Sequence, residues 1–299
     1  MNPTFIGVGP ARCGTTSVYH YLKQHPQVFM SAKKEMNFFS YQRGRSEIDA
    51  GRADLHDPVT SWGEYQELFG HAGAARAAGE ISPSYFWWPG VAEGIHRTLP
   101  EARIFCILRN PIDRAYSSYR MHVDNGGETR TFDQVVKDEL KTPTQYPWAA
   151  GNYYVRIGFY ARHLAPFVAL FRPHKLKICF YDDLESSPAR FMRELFEFIG
   201  VDPDFVVDTS SRFNTLGVRR MEQALQARRL GGLLKQIRRV VPQALYHRMY
   251  RSYSASAAAR HRVPPMPAEI RARLIDAYAE DLRALEQLSG RDLSQWLRA

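Results

Sequence analysis

The sequence predicts an α/β fold: a central parallel β-sheet flanked by helices, with a helical C-terminal region. Three observations predict it. Short apolar runs alternate with amphipathic helical stretches, the pattern of a parallel sheet covered on both faces. The first apolar run leads directly into a glycine-bearing loop and a helix start. Prolines stand where helices open, at Pro111 and Pro188, and Gly200 stands where one closes.

The elements follow in order. Thr4–Val8 reads as a strand, Gly9–Gly14 as a tight loop, and Thr15–Gln24 as a helix closed by His25-Pro26. Trp62–Phe69 is helical, Ala77–Ile81 a strand, Val91–Thr98 helical and Arg103–Leu108 a strand. Helical patterns cover Pro111–Val123, Phe132–Leu140 and Gly158–Phe171. Leu176–Tyr181 is the fourth strand and Pro188–Ile199 the next helix. Beyond Asp202 the pattern is loop, then helix. Leu230, Leu233, Leu234, Ile237, Val240 and Val241 form an apolar stripe beside Lys235, Arg238 and Arg239. Ala268–Leu288 is the last helix. No repeat or low-complexity linker interrupts this order. The expectation is a single domain over 1–299, with an α/β core over 1–211 and a basic, helical part over 212–299.

Composition narrows the class. A 44% hydrophobic content is ample for a buried core, and no stretch approaches the ~20 apolar residues of a membrane span. The first strand begins within a few residues of Met1 and leaves no room for a signal peptide, so a cytoplasmic location is expected. Three cysteines without metal-like spacing argue against a disulfide framework or a zinc site, and no metal is expected. Cys13, at a helix start, is either a reactive thiol or a small residue fitting a tight loop. His20, His122 and His163 lack ligand spacing and read as structural.

The net charge of +9 is unevenly placed. Between Arg212 and Arg262 stand twelve Lys or Arg and one acid, Glu222, a net of +11, which leaves −2 for the rest of the chain. Such a block suits nucleotide phosphates, an anionic acceptor, a membrane surface or simply a solvated helical face.

Two constellations carry chemistry. The first is the loop itself, Phe5–Thr16, reading FIGVGPARCGTT. Gly9 and Gly14 have the spacing of a phosphate-binding G-x-x-x-x-G-K-[ST] loop, but Thr15 stands where the lysine belongs. Loop amides and the helix dipole favour an anion there, and Arg12 is the only cation in the loop. The second is Ile104–Leu108 followed by Arg109-Asn110-Pro111 and, eight residues after the arginine, Ser117. A strand-end arginine and a serine two turns into the next helix can converge on one anion.

Together these segments resemble the sulfotransferases that use 3′-phosphoadenosine 5′-phosphosulfate (PAPS), a P-loop NTPase-like fold. The subgroup most resembled contains the heparan-sulfate and carbohydrate enzymes and their bacterial relatives. Further segments share the likeness: Glu35-Met36-Asn37-Phe38-Phe39, Glu80-Ile81-Ser82-Pro83-Ser84-Tyr85-Phe86, Gly158-Phe159-Tyr160 and the ending Gly290–Leu297. The resemblance spans nearly the whole chain in order.

It implies PAPS as co-substrate. Arg12, Cys13, Gly14, Thr15 and Thr16 would take the 5′-phosphosulfate. Arg109 and Ser117 would take the 3′-phosphate, and Arg219, in a basic loop, would add a phosphate contact. Glu35 would be the general base, its ionisation opposed by the apolar Met36, Phe38 and Phe39 and favoured by Lys33 and Lys34. A surface ion pair with Lys34 is the plainer alternative for Glu35. Glu80 is either a second acid/base or a structural acceptor, and with Ser82 and Tyr85 it is assigned to the acceptor site. Trp87 and Trp88 either stack on an acceptor or pack in the core.

Two departures stand out. Arg12 replaces the subgroup's usual lysine, and Ile81 replaces a lysine that engages heparan-like substrates. The implied reaction moves a sulfuryl group to a hydroxyl or amine of a carbohydrate, glycosylated or secondary-metabolite acceptor. The implied partners are a small-molecule or glycan acceptor, with membrane or lipid-linked contact through 212–262, and the chain acts as monomer or homodimer. Nucleic acid is not expected as a partner, although a nucleic-acid or membrane binder is one rival. The other is a P-loop kinase, which lacks its lysine here.

Overall fold

The computed structural model describes residues 2–50, 55–124, 126–141, 153–209 and 264–298. The basic block, with Arg219, Arg220 and the apolar stripe of 230–241, lies outside the described residues. Five strands form one parallel sheet: β1 (Phe5–Val8), β2 (Val28–Met30), β3 (Ala77–Ile81), β4 (Arg103–Leu108) and β5 (Leu176–Phe180), in the order β2-β3-β1-β4-β5. Phe5 pairs with Gly79 on one side and Arg103 on the other, and Leu108 pairs with Phe180.

The inner strands β3, β1 and β4 are buried on both faces, as the centre of a parallel sheet requires, and the edge strand β5 is half-buried over Leu176–Ile178. Alternate residues enter opposite cores. Ile6, Val8, Ile104, Cys106 and Leu108 pack with one cluster, and Phe5, Phe105 and Ile107 with the other. The second core is covered by α1 (Thr15–Leu22) and, past the fifth strand, a helix over Pro188–Ile199. The first is covered by α2 (Phe38–Asp49), α3 (Trp62–Glu67), α4 (Val91–Thr98), α5 (Pro111–Asp124), α6 (Phe132–Lys141) and α7 (Tyr160–Leu170). After β5 come α8 (Tyr181–Ser186), α9 (the Pro188–Ile199 helix) and α10 (Ala268–Ser289). Each fully buried Leu, Ile or Phe contributes about 2 kcal/mol from lost apolar hydration.

Three elements fall outside the sequence expectation. Strand β2 has three residues, too few to show a period. Helix α2 carries Gln42, Arg43, Arg45, Ser46 and Glu47 among its twelve residues, and no helix is expected there from the sequence. The fourth predicted strand stops at Phe180, and Tyr181 opens α8 instead, with Asp182 and Asp183 in the first turn, where the helix dipole favours acids.

The C-terminal segment closes over the ends of β4 and β5. Helix α10 buries Ile270, Leu274, Tyr278, Leu282 and Leu285 along one stripe. It ends at Gly290, whose φ of +67° suits glycine at a helix C-terminus. Beyond it Arg291 forks onto Asp183 at 3.1 and 2.8 Å, the Trp296 indole donates to Asp182 at 2.8 Å, and Asn110 donates to the Trp296 carbonyl at 3.3 Å.

Candidate active site

All five strands point the same way, so the loops after their carboxyl ends gather at one edge of the sheet, where open α/β sheets bind ligands. The loop after β1 occupies the centre. Gly9 has φ +123°, and a Cβ there would lie 2.6 Å from the Ile107 carbonyl oxygen, so only glycine lets the loop turn against β4. Gly14 caps α1 with φ +84°, and a Cβ would lie 2.8 Å from Leu184 of α8. Arg12 adopts φ +76°, a left-handed conformation uncommon outside glycine, Asn and Asp.

The two sequence constellations meet directly. Arg12 Nε donates to Ser117 Oγ at 3.0 Å, across 105 residues of chain. Arg109 Nη1 donates to the Arg12 carbonyl at 3.3 Å, and its guanidinium lies 4.7 Å from the centre of the Tyr181 ring. Tyr160 donates to the Arg109 carbonyl at 2.8 Å and holds the end of β4. Two guanidinium groups and a hydroxyl therefore surround the glycine loop at the start of α1, a donor set suited to phosphate oxygens. Thr15 is buried and Thr16 half-buried at the first turn of α1.

Cys13 is fully buried. Burial pushes its thiol up to about 11, against the charges of Arg114 and Arg109. The buried thiol is closed to solvent and burial disfavours its thiolate, which favours the reading of Cys13 as a small residue fitting a tight loop. His163, also buried, is pushed down to about 4 by desolvation and bonds the Arg156 carbonyl, as a structural histidine does.

Glu35 reaches the same edge through β2 and the turn that follows it. Its side chain is 37% exposed and pairs with Lys34 at 3.3 Å. Met36, Phe38 and Phe39 are buried in the core.

The Glu80 segment is arranged differently from the expected acceptor surface. Glu80, Ser82 and Tyr85 are each at most 1% exposed. Glu80 Oε1 accepts from Tyr85 at 2.8 Å and Tyr65 at 3.0 Å, and Oε2 accepts from Ser82 at 2.6 Å. The hydroxyls that the sequence assigns to an acceptor are thus turned inward to a carboxylate. Trp88 is buried as well, and Trp87 packs against it at 5.1 Å. Ile81 is 1% exposed in the core beneath α1.

Burial pushes Glu80 up to about 7. Its three hydroxyl partners pull it down without prevailing, and the charge of Glu35 adds a small upward push. The folded pKa thus lies above the ordinary 4.5, so the folded state holds the proton longer. The linked stabilisation is full below about pH 4.5 and is lost as pH rises through about 7, to the extent of ~3 kcal/mol. Thermal melts across pH 4–8 should show a falling contribution over this window, and Glu80→Gln should flatten it.

The family model described as "Sulfotransferase family" matches residues 3–205, most of the chain. The chain belongs to the sulfotransferase family. This sulfotransferase is 30% identical over 220 residues to human bifunctional heparan sulfate N-deacetylase/N-sulfotransferase 2, covering 71% of the chain and 23% of that relative. It is 25% identical over 248 residues to rat carbohydrate sulfotransferase 15, covering 67% of the chain and 44% of the relative. The chain thus spans under half the length of these curated relatives. A solved sulfotransferase from Alicyclobacillus acidocaldarius aligns over 100% of both chains at 26% identity, with a TM-score of 0.71.

Sequence spacing singled out the glycine loop, Arg109 and Ser117, which the structure brings together. Two of their neighbours carry no such signal: Tyr181, beside Arg109, reads as a strand end, and Tyr65, beside Glu80, belongs to no motif. Arg219 lies outside the described residues.

Proposed function

We propose that the chain transfers a sulfuryl group from PAPS to a hydroxyl or amine of a carbohydrate or glycosylated acceptor. The observation that carries this reading is the direct bonding of Arg12, Ser117 and Arg109 around a glycine loop that lacks the P-loop lysine. Such a site has cations for a 5′-phosphosulfate and a 3′-phosphate and no lysine for the β and γ phosphates of a nucleoside triphosphate.

PAPS supplies the sulfuryl group. The amides of Cys13 to Thr16 and the guanidinium of Arg12 neutralise the charge that grows on the 5′-phosphate side as the bond to sulfur breaks. Arg109 and Ser117 hold the 3′-phosphate. Glu35 accepts the acceptor's proton, and Lys34 lies beside it. In-line positioning between these groups does most of the work, as in phosphoryl transfer.

The reading is tested by incubating the chain with labelled PAPS and a panel of glycans, amino sugars and phenols, and separately with ATP and magnesium. Label transfer from PAPS alone is expected; transfer from ATP alone would overturn it. The 3′-phosphate assignment has its own check. Arg109→Ala should weaken 3′-phosphoadenosine 5′-phosphate (PAP) by about ten- to a hundred-fold, as loss of a charge-assisted bond does. The same substitution should leave 5′-AMP binding unchanged by calorimetry, and equal losses for both nucleotides would sink the assignment.

A further inference from the structure

Glu80 is a carboxylate buried to 1% exposure, and among the described residues no Lys or Arg pairs with it. Burying a carboxyl group without a counterion is costly and favours its protonated form, so its position needs a reason. The reason lies in what its hydroxyl partners do with their remaining lone pairs. Ser82 Oγ donates to Glu80 and accepts the backbone N–H of Asn37 at 3.1 Å. Tyr85 Oη donates to Glu80 and accepts the backbone N–H of Phe39 at 3.4 Å.

These two amides belong to the start of α2, where helix geometry leaves N–H groups without partners. Asn37 is the cap residue, in a left-handed conformation at φ +54°. Its own side chain accepts from Ser84 at 2.7 Å and donates to the His56 carbonyl at 3.3 Å. Ser40 in turn donates to Ser84 at 2.8 Å. Met36 is fully buried, so the chain is fixed from residue 36 onward. Glu35 is the last residue before that fixed segment.

We propose that Glu80 is a positioning residue for Glu35, acting through Ser82 and Tyr85 on the amides of Asn37 and Phe39. In its ionised form the carboxylate accepts a hydrogen bond from each hydroxyl and so aims both oxygens as acceptors at the turn that carries Glu35. A glutamine at position 80 presents one acceptor and one donor. One hydroxyl then loses its partner and its orientation. The proposal rests on the reading of Glu35 as the base.

The test uses the full chain with Glu80→Gln, Ser82→Ala, Tyr85→Phe and Glu35→Gln, plus the Tyr85→Phe/Glu35→Gln pair. Turnover is followed as PAP release from PAPS with a panel of alcohol and amine acceptors and with water. PAP affinity and backbone hydrogen exchange are measured alongside. Ser82→Ala and Tyr85→Phe should each lower kcat by about ten- to a hundred-fold, the usual cost of a catalytic group held loosely. The KM for PAPS and the Kd for PAP should stay unchanged. Exchange should quicken at the amides of Asn37 and Phe39, and Tyr85→Phe should slow the Glu35→Gln chain no further.

A normal kcat in both hydroxyl variants, with Glu35→Gln inactive, would overturn the proposal and leave the base reading intact. Parallel losses of kcat and PAP affinity would also overturn it, because they would mark a general structural role. A normal rate in Glu35→Gln would instead remove the base reading, and unchanged exchange at the two amides would then remove the relay as well. Tyr85→Phe keeps the buried ring, so the test stands if Glu80→Gln fails to fold.

Discussion

Replacing Glu35 by glutamine should lower turnover by about 10²–10⁴-fold, the range lost with a general base, while PAP binds as before. The separation follows from the sheet. Glu35 arrives through β2, at one edge, whereas Arg109 and Ser117 arrive from β4 and α5 on the far side of β1. Glutamine keeps the size of the side chain and loses only the ability to take a proton. The contact with Lys34 at 3.3 Å is half-exposed and stabilises the fold by at most about 1 kcal/mol, so its loss should not disturb folding. Steady-state rates with PAPS and calorimetry with PAP check both halves. A near-normal rate would return Glu35 to the surface ion pair that its sequence also allows.

Replacing Arg12 by alanine should cost about 10²–10³-fold in kcat, the loss typical when a donor to developing negative charge is removed. PAP affinity should fall much less, because Arg109 and the loop amides remain. Lysine at the same position should recover only part of the rate. It keeps the charge, but it has no Nε–H to hold Ser117 Oγ at 3.0 Å while presenting other donors to a ligand. Arginine, lysine and alanine all carry a Cβ and meet a similar cost at the left-handed φ of +76°, so backbone strain should not separate the three chains. Rates for Arg12, Arg12→Lys and Arg12→Ala should therefore fall in that order; equal rates for arginine and alanine would remove Arg12 from the reaction.

The sequence made four strands legible and the edge strand β2 not. Strands β1, β3, β4 and β5 announced themselves as short runs rich in apolar residues, such as Ile104–Leu108. Edge strand β2 needs only Val28, Phe29 and Met30, and no period exists in three residues. Helix α2 was hidden because its buried residues, Phe38, Phe39, Ser40, Tyr41 and Gly44, mix apolar with small polar types.

The site shows the same division. Gly9, Gly14, Arg109 and Ser117 carry local spacing that can be read along the chain. The Arg12–Ser117 bond joins residues 105 apart, and no local pattern encodes it. The inward turn of Ser82 and Tyr85 was equally hidden, because a hydroxyl beside a strand end looks the same whether it serves a ligand or a buried carboxylate. Only packing, which puts Tyr65 of α3 against Glu80, distinguishes them.

The strand order β2-β3-β1-β4-β5 also divides the labour of the proposed reaction. The groups assigned to the nucleotide come from the loops after β1 and β4 and from α5, and those assigned to the acceptor's proton follow β2 and β3. The β1 loop is the seam between the halves. On the proposed reading, a change at the turn that carries Glu35 would act on the acceptor's proton and leave the donor grip across β1 in place.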